Sequence, residues 1–474
     1  MKIENAGRTV AQPLGCGGRN KKSASTDLSM STRVHTRNAE NGCRPGTGTL
    51  CPKARTNPPI VVEARRRVDT ASPSPDQLFS EQPRTSLSAS EQASGYGRSR
   101  RPGPTLSIAL ALVFITVTTL WGAVAGKLAL PGYQFQFPRD HFSHPDFATE
   151  WWYYTGNLTD PTGRPFGFEL TFFRQVVDTD PKGQALFRVA SVWQPDQVYL
   201  AHLALSDIQG QQFFHTERLN RAGPGLAGVS LDHGRYWNGN WQVRWALASS
   251  IQQLEAVTPE LTLQLELKSE KRPVIHGQNG VSQKGPEPGK ASHYISFTRL
   301  AADGTLDWKG QTFQLKGQAW MDHEFFTQQL DDTQAGWDWF CVQLENREEL
   351  MFYRLRKKNG GGDPFSSGTF VDAQGVSHFL SGSDFALEPV ARWTSPKTGA
   401  TYPVAWTLSV PSLGLQLSEQ TPLKNQELDS KHGFGPSYWE GAVRYTGTRD
   451  GRPTQGFGYL EMTGYDHELV FGRK

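Results

Sequence analysis

Cysteine is scarce in this sequence, and most of it lies near the beginning. Three of the four cysteines, Cys16, Cys43 and Cys51, fall within the first 104 residues, and only Cys341 follows them. A single cysteine can form neither an internal disulfide nor a cysteine-ligated zinc centre. The sequence therefore excludes both for the long downstream part of the chain.

Aromatic residues are almost missing from the first 104 residues, which contain only Phe79 and Tyr96 of the 53 in the chain. The same segment contains 17 Lys and Arg against 8 Asp and Glu, whereas the rest contains 32 against 38. So few large apolar side chains cannot offset the conformational entropy lost on folding. We expect residues 1–104 to be a disordered basic tail. The acidic remainder lacks the positive surface of a nucleic-acid-binding core.

Long hydrophobic runs are absent except for residues 106–124, which follow the basic sequence RSRR at 98–101. Basic residues, an apolar run and the small pair Ala123 and Ala125 form the pattern of a secretion signal. About 20 apolar residues can also cross a bilayer. We expect residues 105–125 to be a cleaved signal peptide or an inner-membrane anchor, and the protein to be periplasmic or secreted. A signal at this position implies a misassigned start or a real cytoplasmic extension.

Helical periodicity is missing from residues 126–474, where apolar and polar residues alternate instead. The clearest strand is 261–267, whose four leucines share one face. Turn sequences separate similar runs, which favours an all-β sandwich or barrel. The other predicted strands are 167–177, 198–208, 292–298, 337–344, 349–356, 402–410 and 456–463.

An internal repeat indicates two β domains of similar plan. WWYY at 151–154 precedes ELTFFR at 169–174, and WDWF at 337–340 precedes ELMFYR at 349–354. We place the seam between residues 273 and 310. This alignment sets Asp338 against Trp152, on a strand face with Phe340 and Val342, where burial would raise the pKa of the carboxyl.

Other polar residues lie among large apolar side chains. Asp322, His323 and Glu324 are consecutive and could supply an acid, a base and an orienting partner, or form a polar turn. Glu440 follows Tyr-Trp and is predicted to line the same cavity as Asp338. His202 shares a strand face with apolar residues and is typical of a buried core histidine.

Metal and cofactor motifs are not recognised. His141, His144, Asp146 and Glu150 have no known ligand spacing, which favours a structural plug or a domain contact over a metal site. Nucleophile elbows, phosphate loops and dinucleotide fingerprints are also absent. We expect no metal and no cofactor.

Several motifs resemble the lipocalin-like family of carotenoid 1,2-hydratases (hydroxyneurosporene synthases) and the AttH-like proteins grouped with it as predicted secreted hydrolases. The resemblance runs from about residue 133 to 466. The motifs are FPRDH at 137–141, HPDF at 144–147, TEWWYYTG at 149–156, GFELTFFR at 167–174, AWMDHE at 319–324, GWDWF at 336–340 and YWEGAV at 438–443.

This resemblance implies two consecutive lipocalin-like antiparallel β-barrels, at 133–305 and 306–474. It implies hydration of a terminal double bond of an acyclic carotenoid, without a redox cofactor. The matching catalytic positions are Asp322, His323 and Asp338. One departure is Phe325, which lies where the resemblance implies a tryptophan after the Asp-His pair. GWDW at 336–339 resembles the AttH-like branch more than the pigment-pathway hydratases. The residues predicted to bind substrate are Trp152, Glu324, Trp337, Trp339 and Glu440.

The sequence thus predicts an exported protein that binds a hydrophobic isoprenoid or lipid and hydrates an isolated C=C bond. Asp338 would donate the proton, Trp337 and Trp339 would shield the cation, and His323 and Asp322 would orient water. A non-catalytic carrier and a secreted hydrolase are the alternatives. No nucleic-acid partner is expected, and the oligomeric state stays open.

Overall fold

Strands account for nearly all regular structure in the part of the chain that the structure describes. The computed structural model describes residues 126–176, 197–429 and 437–468, so the predicted tail and apolar segment lie outside the described residues. Within these ranges the helices are two short 3₁₀ helices, Arg139–His141 and Pro411–Leu413. The predicted all-β class is confirmed. No helix in the described ranges has the length and hydrophobicity to cross a membrane.

The first sheet is antiparallel. The first and last of its strands along the chain, β1 and β13, lie side by side at its centre. Its order is β4-β3-β2-β1-β13-β12-β9-β8-β7-β6-β5, and β10 and β11 pair with β12. The strands are β1 Thr149–Thr159, β2 Pro165–Val176, β3 Gln197–Asp207, β4 Gln212–Arg221, β5 Ala227–Ser230, β6 Arg235–Asn238, β7 Trp241–Ala246, β8 Ile251–Val257, β9 Leu261–Ser269, β10 Val274–Ile275, β11 Ser282–Gln283, β12 Ala291–Trp308 and β13 Gln311–Phe326.

The second sheet repeats this plan with fewer strands. Its order is β17-β16-β15-β14-β23-β22-β20-β19-β18, and β21 pairs with β22. The strands are β14 Gln334–Leu344, β15 Glu349–Lys357, β16 Ser367–Val371, β17 Ser377–Ser381, β18 Ala386–Thr394, β19 Thr401–Val410, β20 Leu415–Gln420, β21 Glu427–Leu428, β22 Tyr438–Arg449 and β23 Arg452–Met462.

Each sheet curls around its own apolar core, which gives two lipocalin-like, barrel-like bodies as predicted. Trp152, Leu170 and the leucines of β9 lie in the first core, and Phe340 and Trp406 lie in the second. In β9 the four leucines are buried, whereas the residues between them are exposed or half-buried. Burying one leucine contributes about 1.5–3 kcal/mol.

The predicted domain boundary at residue 305/306 falls inside β12, and the first sheet continues to Phe326. The turn sequence at 303–304 does not form a turn. A Cβ on Gly304 would lie 2.0 Å from the backbone oxygen of Gln264, so this glycine permits close approach of β9. The chain reverses at Lys309 and Gly310 instead, both with positive φ, as a two-residue hairpin requires.

The repeated hairpins are β1–β2 and β14–β15. The alignment of the two hairpins by strand register differs by two residues from the alignment made from sequence. Asp338 lies opposite Arg354 in the second hairpin, and Glu150 lies opposite Arg174 in the first. The structural counterpart of Asp338 is therefore Glu150 and not Trp152. Both are carboxylates buried on the inner face of a barrel.

The central strands are buried on both faces because the outer faces of the two sheets pack together. Positions 149–156 of β1 and 319–326 of β13 are buried without interruption. Strands β1 and β2 contact β23 and β22. A Cβ on Gly167 would lie 2.5 Å from the Cβ of Ala442, so small residues permit this approach. The shared layer contains Trp151, Tyr153, Tyr294, Trp320, Trp339, Cys341, Tyr353 and Tyr459.

Candidate functional site

A cavity of about 620 Å³ lies between the two sheets. Period-2 alternation supplies its walls: every second residue of β1, β13, β14, β22 and β23 points away from its own barrel and toward the other sheet. Its lining combines aromatic rings with carboxyl groups. The residues used below are Trp151, Tyr153, Lys284, Tyr294, Asp322, Glu324, Gln329, Trp337, Trp339, Tyr353, Glu440 and Glu461.

Asp322 lies on the first-sheet wall, where three groups donate hydrogen bonds to its carboxyl. Tyr294 Oη donates to Oδ2 at 2.5 Å and Trp320 Nε1 to Oδ1 at 2.5 Å, and Ser296 Oγ also donates. Burial raises the pKa of Asp322 to about 7 even though these donors favour the anion. Trp339 of the second sheet donates to Tyr294 Oη at 2.9 Å, so the Asp322 network joins both sheets.

Glu440 lies on the opposite wall and is fully buried. Tyr153 Oη donates to its Oε2 at 2.9 Å, whereas Oε1 has no hydrogen-bond partner. Burial, and then the charges of Glu461 and Glu169, hold the pKa of Glu440 well above its usual range. The raised pKa favours the protonated form of the side chain, which can donate a proton.

Glu461 is the third carboxyl of this group. It lies opposite Glu440 in the β22–β23 pairing, and burial raises its pKa to about 8. Glu461 lies opposite Trp339, as Glu324 lies opposite Trp151 in the first sheet. The two glutamates are therefore equivalent positions of the repeat, and both face the cavity.

Glu324 differs from Glu461 because a buried cation neutralises it. Lys284 Nζ lies 2.9 Å from Glu324 Oε2 and donates to Ser292 Oγ at 2.8 Å. Rings of Tyr294 and Tyr353 flank the ammonium group at 5.4 and 4.9 Å from their centres. One end of the cavity is thus ionic, and the region around Glu440 contains carboxyl groups with raised pKa values.

The structure brings five of the eight predicted site residues to this cavity: Asp322, Glu324, Trp337, Trp339 and Glu440. The other three, Trp152, His323 and Asp338, do not line it. Each follows or precedes a cavity residue in its strand. Alternation therefore turns it toward the inside of a barrel.

Asp338, predicted as the proton donor, lies inside the second barrel in an ionic network. Arg356 Nη1 lies 2.5 Å from its Oδ1, Tyr465 Oη donates to the same oxygen at 2.8 Å, and Arg354 lies 3.8 Å from Oδ2. The carboxylate thus has two arginine partners and no access to the cavity. Its prediction as the acid assumed that the reaction takes place within a barrel.

His323 and Trp152 stack inside the first barrel, with ring centres 4.9 Å apart. Glu150 Oε1 lies 2.9 Å from His323 Nε2 and 2.7 Å from His144 Nδ1, and Arg174 donates to Glu150 Oε2 at 2.9 Å.

Within the described ranges, His144, Glu150 and His323 are the residues close enough together to hold a metal ion. Their direct hydrogen bonds, and the guanidinium on Glu150, already satisfy the carboxylate. This arrangement ties the segment before β1 to the barrel, which fits the predicted structural role of His144 and Glu150.

His202 lines the cavity, and its Nδ1 lies 2.5 Å from Tyr438 Oη. Burial lowers the pKa of His202 to about 3, so the ring is neutral. Burial also holds the pKa of the Cys341 thiol well above its usual range, which removes it as a nucleophile.

Sequence analysis missed several cavity residues: Tyr153, Lys284, Tyr294, Gln329 and Glu461. Tyr153 lies two residues from Trp151 in β1, so alternation links these two residues. Glu461 is linked to Trp339 and Glu440 by strand pairing, which alternation does not supply. Lys284 and Gln329 lie outside the long strands and carry no such signal.

Comparisons with known proteins agree with this architecture. The family model described as AttH-like matches residues 128–465. The crystal structure of an AttH protein from Nitrosomonas europaea is 33% identical, with a TM-score of 0.64, over 72% of this chain and 99% of that one. Kievitone hydratase from Nectria haematococca shares the fold at 14% identity, with a TM-score of 0.55, over 72% of this chain and 98% of its own.

A curated relative, the dehydratase asqC of Emericella nidulans, is 34% identical over 210 residues, which cover 43% of this chain. The chain spans 58% of the length of that relative. The resemblance noted from the motifs is thus supported by matches to sequence and to structure. Because the family model covers most of its length, this chain belongs to the AttH-like family.

Proposed function

We propose that this protein adds water to, or removes water from, a carbon–carbon bond of an apolar small molecule held between its two sheets. One observation carries the proposal: three carboxyl groups with raised pKa values, those of Asp322 and Glu461 to about 7 and about 8, face one aromatic-lined cavity. A carboxyl that stays protonated can protonate an alkene or a leaving hydroxyl, and one with a pKa near 7 can accept the proton that water releases.

For hydration, Glu440 donates its proton to one alkene carbon, and the neighbouring carbon becomes cationic. The π-faces of Trp339 and Tyr153 stabilise this charge. Water then bonds to the cationic carbon and releases a proton to Asp322, and exchange with solvent restores both carboxyls. Dehydration runs through the same steps in reverse.

The names of the relatives support this reaction class. One is a hydratase that shares the fold, and another is a dehydratase that is similar to part of the chain. We propose an isoprenoid or other lipid as substrate and export as the location, with membrane attachment through residues 106–124 if they stay uncleaved. These finer proposals rest on the apolar cavity and on the sequence pattern alone.

The test incubates the purified protein with acyclic isoprenoids and their hydrated counterparts in ¹⁸O-labelled water, followed by mass spectrometry. We expect incorporation of one labelled oxygen per hydrated product. Glu440→Gln and Asp322→Asn should each lower turnover by about 100-fold or more. Glu419→Gln is the matched control, because Glu419 is a buried carboxyl of similarly raised pKa, about 8, outside the cavity. Retention of ligand without conversion would establish the carrier instead.

A further inference from the structure

The ionic end of the cavity is built from buried polar side chains on three segments of the first barrel region. Lys284, Ser292 and Gln329 all donate to a single atom, Glu324 Oε2; the lysine and glutamine nitrogens lie 2.9 and 3.1 Å from it, and Ser292 Oγ is closer still. The four side chains are nearly inaccessible to solvent. This end therefore has a fixed geometry before any ligand enters.

One hydrogen-bond acceptor at this end of the cavity receives no hydrogen bond from the protein. Gln329 Oε1 is buried without a hydrogen-bond partner, and Gln329 lines the cavity at 2% exposure. The protein alone leaves this oxygen without a hydrogen bond, which is unfavourable for a buried polar atom. A ligand with a hydrogen-bond donor at this point avoids that cost.

The surrounding charges restrict what this donor can be. An ammonium group would lie beside Lys284, and a carboxylate would lie beside Glu324 and Asp322, so either charge meets a like charge. Lys284 and Glu324 already neutralise each other. A neutral donor is the group that fits.

We infer that this end of the cavity binds a hydroxyl group of the ligand, which donates to Gln329 Oε1 beside Glu324. The inference rests on the proposed function and narrows its substrate to a hydroxylated apolar molecule. Glu324 and Asp322 are two residues apart on one face of β13, about 7 Å. The hydroxyl thus lies about that far from the carbon that reacts beside Asp322.

The test uses probes without an isolated alkene, so that binding is measured apart from turnover. The pairs are 1-dodecanol with its methyl ether and 4-octylphenol with its methyl ether, titrated by quenching of tryptophan fluorescence. We expect at least one hydroxyl probe to bind about 10-fold more tightly than its ether. The pair that discriminates identifies the hydroxyl as alcoholic or phenolic.

Gln329→Met should remove this preference by weakening binding of the hydroxyl probe to the level of its ether, while ether binding stays unchanged and reports the intact fold. Leu200→Met, on an apolar part of the wall, should change both members of a pair equally. Two results would overturn this inference but not the proposed function. One is equal affinity for the hydroxyl probe and its ether in the unmodified protein, and the other is equal loss of affinity for both probes in Gln329→Met. Failure of all four probes to bind would overturn the apolar-ligand proposal with it.

Discussion

Asp322 and Asp338 have the same side chain but lie in different electrostatic environments. Three neutral donors contact Asp322, and burial raises its pKa to about 7. Asp338 is equally inaccessible, but Arg356 and Arg354 lie against it. Asp322 can exchange a proton near neutral pH, whereas Asp338 neutralises two partly exposed arginines. The chemical role of each aspartate is therefore determined by the groups that contact its carboxyl.

Asp338→Asn should destabilise the protein while leaving turnover per folded molecule within a few-fold. The change leaves Arg356 without its carboxylate in a buried setting, which costs about 3 kcal/mol. Urea unfolding measures the loss, and the ¹⁸O assay measures turnover. A 100-fold loss of turnover in a variant that remains folded would restore Asp338 as the acid.

Glu461→Gln should shift the pH dependence of kcat/KM. The base Asp322 must be deprotonated, so activity rises as pH passes about 7; the acid Glu440 must be protonated, so activity falls when it ionises at higher pH. The charge of Glu461 helps to raise the pKa of Glu440. Removing that charge lowers this pKa, so the descending limb moves to lower pH. A profile with an unchanged descending limb would show that Glu440 titrates independently.

At the scale of elements, alternation along single strands separates neighbouring side chains into different compartments. In β13, Asp322 and Glu324 face the cavity, and His323 between them faces the inside of the first barrel. Three consecutive titratable residues therefore do not form one catalytic group. The same rule sends Trp337 and Trp339 of β14 to the cavity and Asp338 away from it.

Gly458→Ala should destabilise the second sheet. Gly458 lies in β23 between Val342 and Val443, and a Cβ there would lie 1.8 Å from the backbone oxygen of Cys341. Strand β23 would have to move, at a cost of about 2–3 kcal/mol. Thermal unfolding provides the measurement. Gly362→Ala, where a Cβ meets nothing closer than 3.8 Å, is the control and should change stability by less than about 0.5 kcal/mol.

At the scale of the whole molecule, the two sheets are tied together by buried ion pairs as well as by aromatic packing. Glu349 of β15 receives Arg299 Nε at 2.5 Å and Lys271 Nζ at 2.6 Å, both from the first-sheet part of the chain. Lys271 also donates to two backbone oxygens of the second part. These contacts fix the spacing of the walls between which the cavity lies.

Glu349→Gln should weaken this connection strongly. Two buried cations lose their carboxylate, so the free energy of unfolding should fall by about 3–5 kcal/mol. Denaturant unfolding followed by tryptophan fluorescence is the measurement, and exposed Glu345→Gln is the control. Equal stability of the two variants would mean that the ion pairs of Glu349 contribute nothing measurable to the connection between the sheets.

The all-β class, most of the long strands, the repeated hairpin and the family could all be predicted from the sequence. These follow from local properties, namely period-2 alternation, turn residues and long motifs. Asp322 and Glu440 were also identified from sequence, because a carboxyl among large apolar side chains is a local signal.

Which face of each central strand lines the cavity depends on the tertiary structure. The packing of two outer faces, the register that matches Asp338 with Glu150, and the partners of Glu324 depend on residues far apart in the chain. Alternation predicts that the side chains of His323 and Asp322 point in opposite directions. It does not predict which of the two side chains faces a cavity. The side chain that faces the cavity is determined by how one sheet docks on the other, because the cavity lies between the two sheets.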